Sequence, residues 1–255
     1  MEAARAAVNG GIAVLEIVRS TPGVFEVLQA LANEYPTKAF GVGTVLTAQD
    51  AKTAMKAGAK FLMSPAKDIL DDVRDTDVLY MPGVMTPTEI YSAHNAGAKI
   101  VKIYPVSALG GIRYISAIRK PFSHIPMVAS QGITIDSVGD YIAPGAISVV
   151  LSDAIFDKEA MNQNNFDVVN RLATSAAVQG KIAVESAAFA LACSKSYEEK
   201  IKHDRKGILT ERTGKAELFF PMPMSFMCLI SEAETFLLGS VEASDTCSTR
   251  NTILI

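Results

Sequence analysis

Two ionisable residues stand inside runs that are otherwise apolar. Lys102 lies in IVKIYP and Glu16 in AVLEIV. Read as strands, these runs put Ile100, Lys102 and Tyr104 on one face, and Val14, Glu16 and Val18 on one face of the other. Burial disfavours a charged amine, so the lysine pKa should fall from about 10.4 towards roughly 7–8, where it becomes a nucleophile that can form an imine with a ketone. A carboxyl group in such a strand must be paired or protonated, and either state suits general acid–base work. Each residue also has a plain structural reading. Lys102 can be a strand-end lysine that snorkels to solvent. Glu16 can be a structural ion pair with Arg19 or a lysine. Pattern alone leaves both alternatives open, but two charged residues within two strands point to chemistry more strongly than either does singly. GVGTVL adds Thr44, whose hydroxyl can hold a carboxylate or can belong to an ordinary β-branched strand residue. Its glycines Gly41 and Gly43 would let a ligand approach closely.

Other chemistries are poorly provided for. Of the three histidines, His94 falls on an expected helix, His124 in a loop and His203 in the last quarter of the chain. None is on an expected strand, so no histidine-ligated metal site and no metal cofactor is expected. There is no G-x-S-x-G elbow and no phosphate-binding P-loop. The acidic pairs Asp71–Asp72 and Glu198–Glu199 read as solvated surface.

The elements that must position Lys102 and Glu16 follow from a recurring phrase: a helix-like stretch, a small turn with glycine, then an apolar strand. It occurs as NGGIAVLEIV from Asn9, AGAKFLMSP from Ala57, AGAKIVKIYP from Ala96 and PGAISVVLS from Pro144. Gly10, Gly58, Gly97 and Gly145 suit helix C-caps, where a left-handed residue is needed. Further apolar runs are AFGVGTV from Ala39, VLYMPG from Val78 and PMVAS from Pro126. Helical patterns such as FEVLQALANEY and AQDAKTAMKAG connect them, so the reading is parallel βαβ units. Seven strands are counted in a repeating (βα)₂ pattern, and the first phrase has only the helical stub EAARAAV ahead of it. The expectation is therefore an α/β chain, a (β/α)₈ TIM-type barrel with seven of its eight strands present. The alternative is an open doubly wound sheet, for which no dinucleotide fingerprint is found.

Composition fits this. The chain has 255 residues, 49% of them hydrophobic and 20% charged, with a formal net charge of -3. A sizeable core is available, and no basic footprint for nucleic acid is present. No apolar run is long enough for a membrane span, and the amino end does not read as a targeting segment. Cytoplasmic location is the default expectation, a plastid location requiring an upstream segment. The barrel is expected over 1–180, where the periodicity stops. Residues 181–255 read as a C-terminal extension holding Cys193, Cys228 and Cys247 without metal-ligand spacing. Disorder or an aberrant end is the simpler reading of that extension, an accessory or oligomerisation segment the other.

The motifs LEIVRSTPGV, GVGTVLTAQDA, GAKFLMSPA, MPGVMTPTEI, VKIYPV and SQGI, in this order, resemble the KDPG/KHG aldolase family, with wording closest to its plant members. These are the 2-dehydro-3-deoxy-phosphogluconate and 4-hydroxy-2-oxoglutarate aldolases. The resemblance covers roughly 9–180 and implies a homotrimeric barrel that cleaves a small-molecule 4-hydroxy-2-oxo acid to pyruvate and an aldehyde. It implies that Lys102 forms the Schiff base and that Glu16 shuttles protons. It further implies that Thr44 contacts the pyruvate carboxylate, that Pro82 and Gly83 form pocket wall, and that Ser130, Gly132 and Ser152 lie at a phosphate site. For the family's 6-phosphogluconate-derived substrate the aldehyde would be glyceraldehyde 3-phosphate.

The departures also carry meaning. An arginine found in many members four residues after the glutamate is Ser20 here, and the neighbouring Arg19 is offset by one, which reverses a strand side chain. A usual glycine pair is Gln131–Gly132, and the glycine-rich end of the last strand reads Val150–Leu151–Ser152–Asp153. Fewer glycines leave fewer backbone N–H groups for a phosphate, and an inward Asp153 would repel one. Two rivals follow: an aldolase for unphosphorylated 4-hydroxy-2-oxoglutarate, or a barrel remnant that binds a 2-oxo acid or a partner without turnover.

Overall fold

The computed structural model describes residues 1–66 and 69–211. Within them each apolar run named above is a strand. These are β1 (Val14–Val18), β2 (Ala39–Gly43), β3 (Phe61–Ser64), β4 (Leu79–Val84), β5 (Val101–Ile103), β6 (Met127–Ser130) and β7 (Ser148–Val150). The intervening helices are α2 (Val24–Glu34), α3 (Ala48–Lys56), α4 (Ile69–Val73), α5 (Pro87–Asn95), α6 (Ile112–Arg119) and α7 (Val138–Ile142). The stub α1 (Glu2–Asn9) precedes β1, and α8 (Lys158–Asn162) and α9 (Phe166–Glu211) follow β7.

Every strand pairs in parallel with the next in sequence, giving the order β1-β2-β3-β4-β5-β6-β7. Alternate residues then segregate onto two faces. Val14, Phe61, Met81, Ile100, Val128 and Val150 belong to one inner cluster. A cluster that gathers side chains from one end of the sheet to the other requires the sheet to curl around them. Their neighbours Leu15, Leu62, Tyr80, Val101, Ala129 and Val149 face the other way, into the larger cluster shared with the helices. The outcome is a curled half-barrel with helices outside. Among the described residues β1 and β7 do not pair. The helical layer nevertheless continues past that gap, because α9 packs against both α1 and α7.

The contact between α9 and α1 rests on small residues. Val169, Ala173, Ala176 and Ala183 are buried at helical spacing on α9. Asn170 Nδ2 donates to the Ala6 carbonyl at 3.0 Å. A Cβ on Gly10 would lie 2.6 Å from both the Ala173 Cβ and the Asn170 carbonyl oxygen. This corrects the reading of Gly10 as a left-handed cap: its φ is -74°. Gly11 takes that conformation instead, at φ +105°, and Gly58, Gly97 and Gly145 adopt it as expected. Helix α9 crosses the expected boundary at Gly180 and runs to Glu211, so the first part of the expected extension, 181–211, is helical. Residues 212–255, with Cys228 and Cys247, lie outside the described residues. No helix among the described residues is long and apolar enough to cross a membrane.

The Gly10 contact sets a sign. At a compatible φ, glycine to alanine is normally stabilising by about 0.4–1 kcal/mol. Here the added methyl meets backbone, and overpacking of this kind costs about 1–3 kcal/mol. Gly10→Ala is expected to lower the urea midpoint, and a raised midpoint would show that α1 is free to move off α9.

Candidate active site

Glu16 is the middle residue of β1 and Lys102 that of β5, strands that are not neighbours in the sheet. Curling brings them together across the interior. Lys102 Nζ donates to Glu16 Oε2 at 3.1 Å and lies 3.4 Å from Oε1. The two side chains are only 12% and 9% exposed, so the pair is largely shielded from solvent. Of the plain alternatives, snorkelling of Lys102 does not occur. A Glu16 pair with Arg19 does not occur, since the Arg19 Nε donates to Asp50 Oδ1 at 2.8 Å and the guanidinium lies over the Phe25 ring; the ion pair that Glu16 makes is with a lysine, Lys102 itself.

The neighbours of the pair explain why it fits. A Cβ on Gly43 would sit 1.6 Å from Glu16 Oε1, so the glycine leaves the space that the carboxylate fills. Gly41 does the same for the Phe61 ring, at 2.5 Å. Both glycines were expected to admit a ligand; each instead admits a side chain of the protein. Beside Lys102 the register partners are Gly83 on β4 and Val128 on β6. Gly83 alternates with Met81 onto the inner face, and a Cβ there would make only ordinary contacts, the nearest with the Ser64 carbonyl oxygen at 3.8 Å. Pro82, buried, precedes Gly83 on the same strand and is in register with Ser64 on β3. Tyr104, half exposed at the end of β5, places its ring centroid 5.7 Å from Lys102 Nζ. The sequence grouped it with Lys102 but gave it no part.

Thr44 is not a strand residue. It follows β2, is exposed, and has φ +59°, a conformation rare for a β-branched side chain. Such strain persists where the surroundings demand it and is frequent at functional sites. Ser130 is buried at the end of β6 and alternates with Val128 onto the inner face. Gly132 has φ +72°, and a Cβ there would lie 2.5 Å from the Ser107 Cβ. Gln131 is also left-handed, at φ +84°, and the Ser107 hydroxyl bonds its Oε1. Ser152 follows β7 and is exposed, with Oγ 3.5 Å from Asp153 Oδ1. Ser107 and Gln131 were given no joint role by the sequence, because nothing in it shows that the loops after β5 and β6 interlock.

The rim beyond β4 is fastened by its own hydrogen bonds. Glu89 accepts from the Met85 and Thr86 backbone N–H groups at 2.8 Å and completes a capping box with Thr86. The Met85 and then the Thr86 bonds hold its carboxyl below the ordinary glutamate value. No group of three or more His, Cys, Asp or Glu that could hold a metal occurs among the described residues.

A curled parallel sheet that opposes an amine and a carboxylate across its interior suits a nucleophilic lysine with a proton-transfer partner. Residues 1–172 match the family described as KDPG and KHG aldolase. The KHG/KDPG aldolase of Escherichia coli is 29% identical over 181 residues, spanning 70% of this chain and 85% of that protein. The 2-dehydro-3-deoxy-phosphogluconate aldolase of Treponema pallidum is 33% identical over 142 residues, 55% of this chain and 68% of that one. Among solved structures, the KDPG aldolase of Legionella pneumophila, with pyruvate captured at low pH as a covalent carbinolamine, is 28% identical. Its TM-score is 0.64, over 69% of this chain and 86% of that chain. The aldolase of Zymomonas mobilis ZM4 with 3-phosphoglycerate is 26% identical, with a TM-score of 0.62 over 69% and 83%. This chain belongs to the KDPG and KHG aldolase family. It is a carbon–carbon lyase, an aldolase.

Releasing the strain at Thr44 tests why it is there. Thr44→Gly is expected to stabilise the fold by about 1 kcal/mol, read from chemical denaturation, while weakening pyruvate binding. A variant that is stabilised and binds pyruvate as before would deprive the hydroxyl of a role.

Proposed function

We propose that Lys102 and Glu16 are the catalytic pair of this class I aldolase, and that it cleaves a 4-hydroxy-2-oxo acid to pyruvate and an aldehyde. The observation that supports this most directly is the shielded Lys102–Glu16 contact at 3.1 Å. Family membership supports it independently, as does the covalent pyruvate adduct in the Legionella relative. The substrates in the relatives' names, the 6-phosphogluconate-derived acid and 4-hydroxy-2-oxoglutarate, share the pyruvate half that this pair would handle.

The steps follow from where the two groups stand. Glu16 takes a proton from the Lys102 ammonium, and the free amine attacks the C2 ketone. The resulting carbinolamine loses its hydroxyl as water, with the proton supplied by Glu16, and leaves an iminium. Glu16, again a carboxylate, takes the C4 hydroxyl proton. The C3–C4 bond breaks, its electrons pass into the iminium, and an aldehyde departs. The enamine left behind is protonated at C3, and water releases pyruvate from Lys102. In this reading Thr44 holds the C1 carboxylate, Gly83 forms pocket wall beside the amine, and Ser130, Gly132 and Ser152 border the far end of the substrate.

The same reading includes one further parallel strand between β1 and β7, which would complete a (β/α)₈ barrel, and assembly as a homotrimer. The mass of the particle in solution, by light scattering, decides the latter.

Borohydride trapping with pyruvate tests the chemistry. An adduct is expected on the peptide carrying Lys102, and none in Lys102→Ala, which should also have no cleavage activity. Undiminished cleavage by that variant would exclude the mechanism. Glu16→Gln should still trap pyruvate but turn over about 10²–10⁴-fold more slowly, since proton transfer contributes that much. Gly43→Ala, which displaces the Glu16 carboxylate without altering its chemistry, should slow kcat in the same direction by about 10²-fold. Normal turnover in Gly43→Ala would mean that Glu16 acts from another position.

A further inference from the structure

We infer that the far end of the substrate pocket reads hydroxyl groups, not a phosphate, and that Gln131 is the residue that sets this specificity. The inference rests on the aldolase reading above and extends it to the part of the substrate that the lysine never touches.

Anchoring fixes the direction in which the substrate runs. With C2 on Lys102 and C1 towards Thr44 beyond β2, carbons C3 onward extend to the opposite side, over the ends of β6 and β7. Lys102 is in register with Val128. Ser130 lies two residues further along the same face, about 6.6 Å nearer the mouth, a rise that the remaining carbons of a six-carbon acid can span. Gln131 and the loop after β7 therefore meet its terminal group.

Gln131 and Asp153, next to Ser130 and Ser152 in the chain, bring no positive charge there. Gln131 keeps a left-handed backbone, φ +84°, where glycine would cost nothing. Its side chain is fixed by the Ser107 hydroxyl, and Gly132 packs so closely on Ser107 that the two loops are interlocked. A carboxamide offers donors and acceptors without charge, as a hydroxylated ligand requires. After β7 the Ser152 hydroxyl faces the Asp153 carboxylate at 3.5 Å. A phosphate dianion next to Asp153 would be repelled, and one well held is normally met by cationic or clustered N–H donors. Arg19 is bonded to Asp50, and Arg113 is exposed on the first turn of α6. Among the described residues no lysine or arginine pairs with Asp153.

The experiment compares kcat/KM for 2-dehydro-3-deoxy-6-phosphogluconate and for the same acid without its phosphate. The wild-type chain is expected to show less than a tenfold preference for the phosphorylated acid, and a larger preference overturns the inference. Gln131→Gly relieves the left-handed strain and should fold at least as well. It is expected to move the ratio at least fivefold towards the phosphorylated substrate. Ser107→Ala, which releases the carboxamide, should move it the same way, and no shift in either variant overturns the role given to Gln131. Borohydride trapping of pyruvate on the wild-type chain separates the two levels. With an adduct on Lys102, a strong phosphate preference removes only this inference; without one, the aldolase reading itself falls and the specificity goes with it.

Discussion

A lysine and a glutamate share the inside of this protein, and most of its surroundings can be understood as making that contact tolerable. Removing two charges from water costs several kcal/mol each, and their mutual attraction offsets this only when the geometry is good. The pair is therefore a poor device for stability. The curl of the sheet, which brings the middle of β1 over to the middle of β5, supplies the geometry. The missing side chain at Gly43 supplies the volume for the carboxylate. Apolar residues beneath, from Val14 to Val150, close the interior on the side away from the strand ends.

Such an arrangement suits a reaction in which one proton changes hands several times. An amine in contact with a carboxylate has its base at hand before attack and its acid at hand during dehydration. In the proposed reaction the same carboxylate would then serve the C4 hydroxyl. The half-exposed Tyr104 ring near the amine belongs to the same economy of means. A cation close to an aromatic face is favoured electrostatically, and both the ammonium and the iminium are cations.

The outer structure shows a similar division between what is fixed and what is adjustable. Helix α9 joins the two ends of the helical layer by laying small residues against α1, and Gly10 is selected there for closeness and not for backbone freedom. The sequence reading gave Gly10 the conformational role that belongs to its neighbour Gly11. Both are glycines in the same turn, and only the packing of α9 tells them apart. The periodicity fades near Gly180 for a related reason: the small residues of α9 give a weak helical pattern, and the helix itself continues through it.

The sequence by itself determined the seven strands, the parallel α/β class, and the suspicion attached to Lys102 and Glu16. These are local matters: strand length, alternation and the oddity of a charge in an apolar run need only neighbouring residues to be seen. The tertiary structure alone decided that the two charges meet, since 86 positions separate them in the chain. It also decided that Arg19 turns to Asp50 and that Gly41 and Gly43 make room for Phe61 and Glu16. Each of these depends on which strands become opposite one another when the sheet curls. A carboxylate, a ring and a glycine acquire their meaning from what lies across the curled sheet, and distance along the chain carries no record of that.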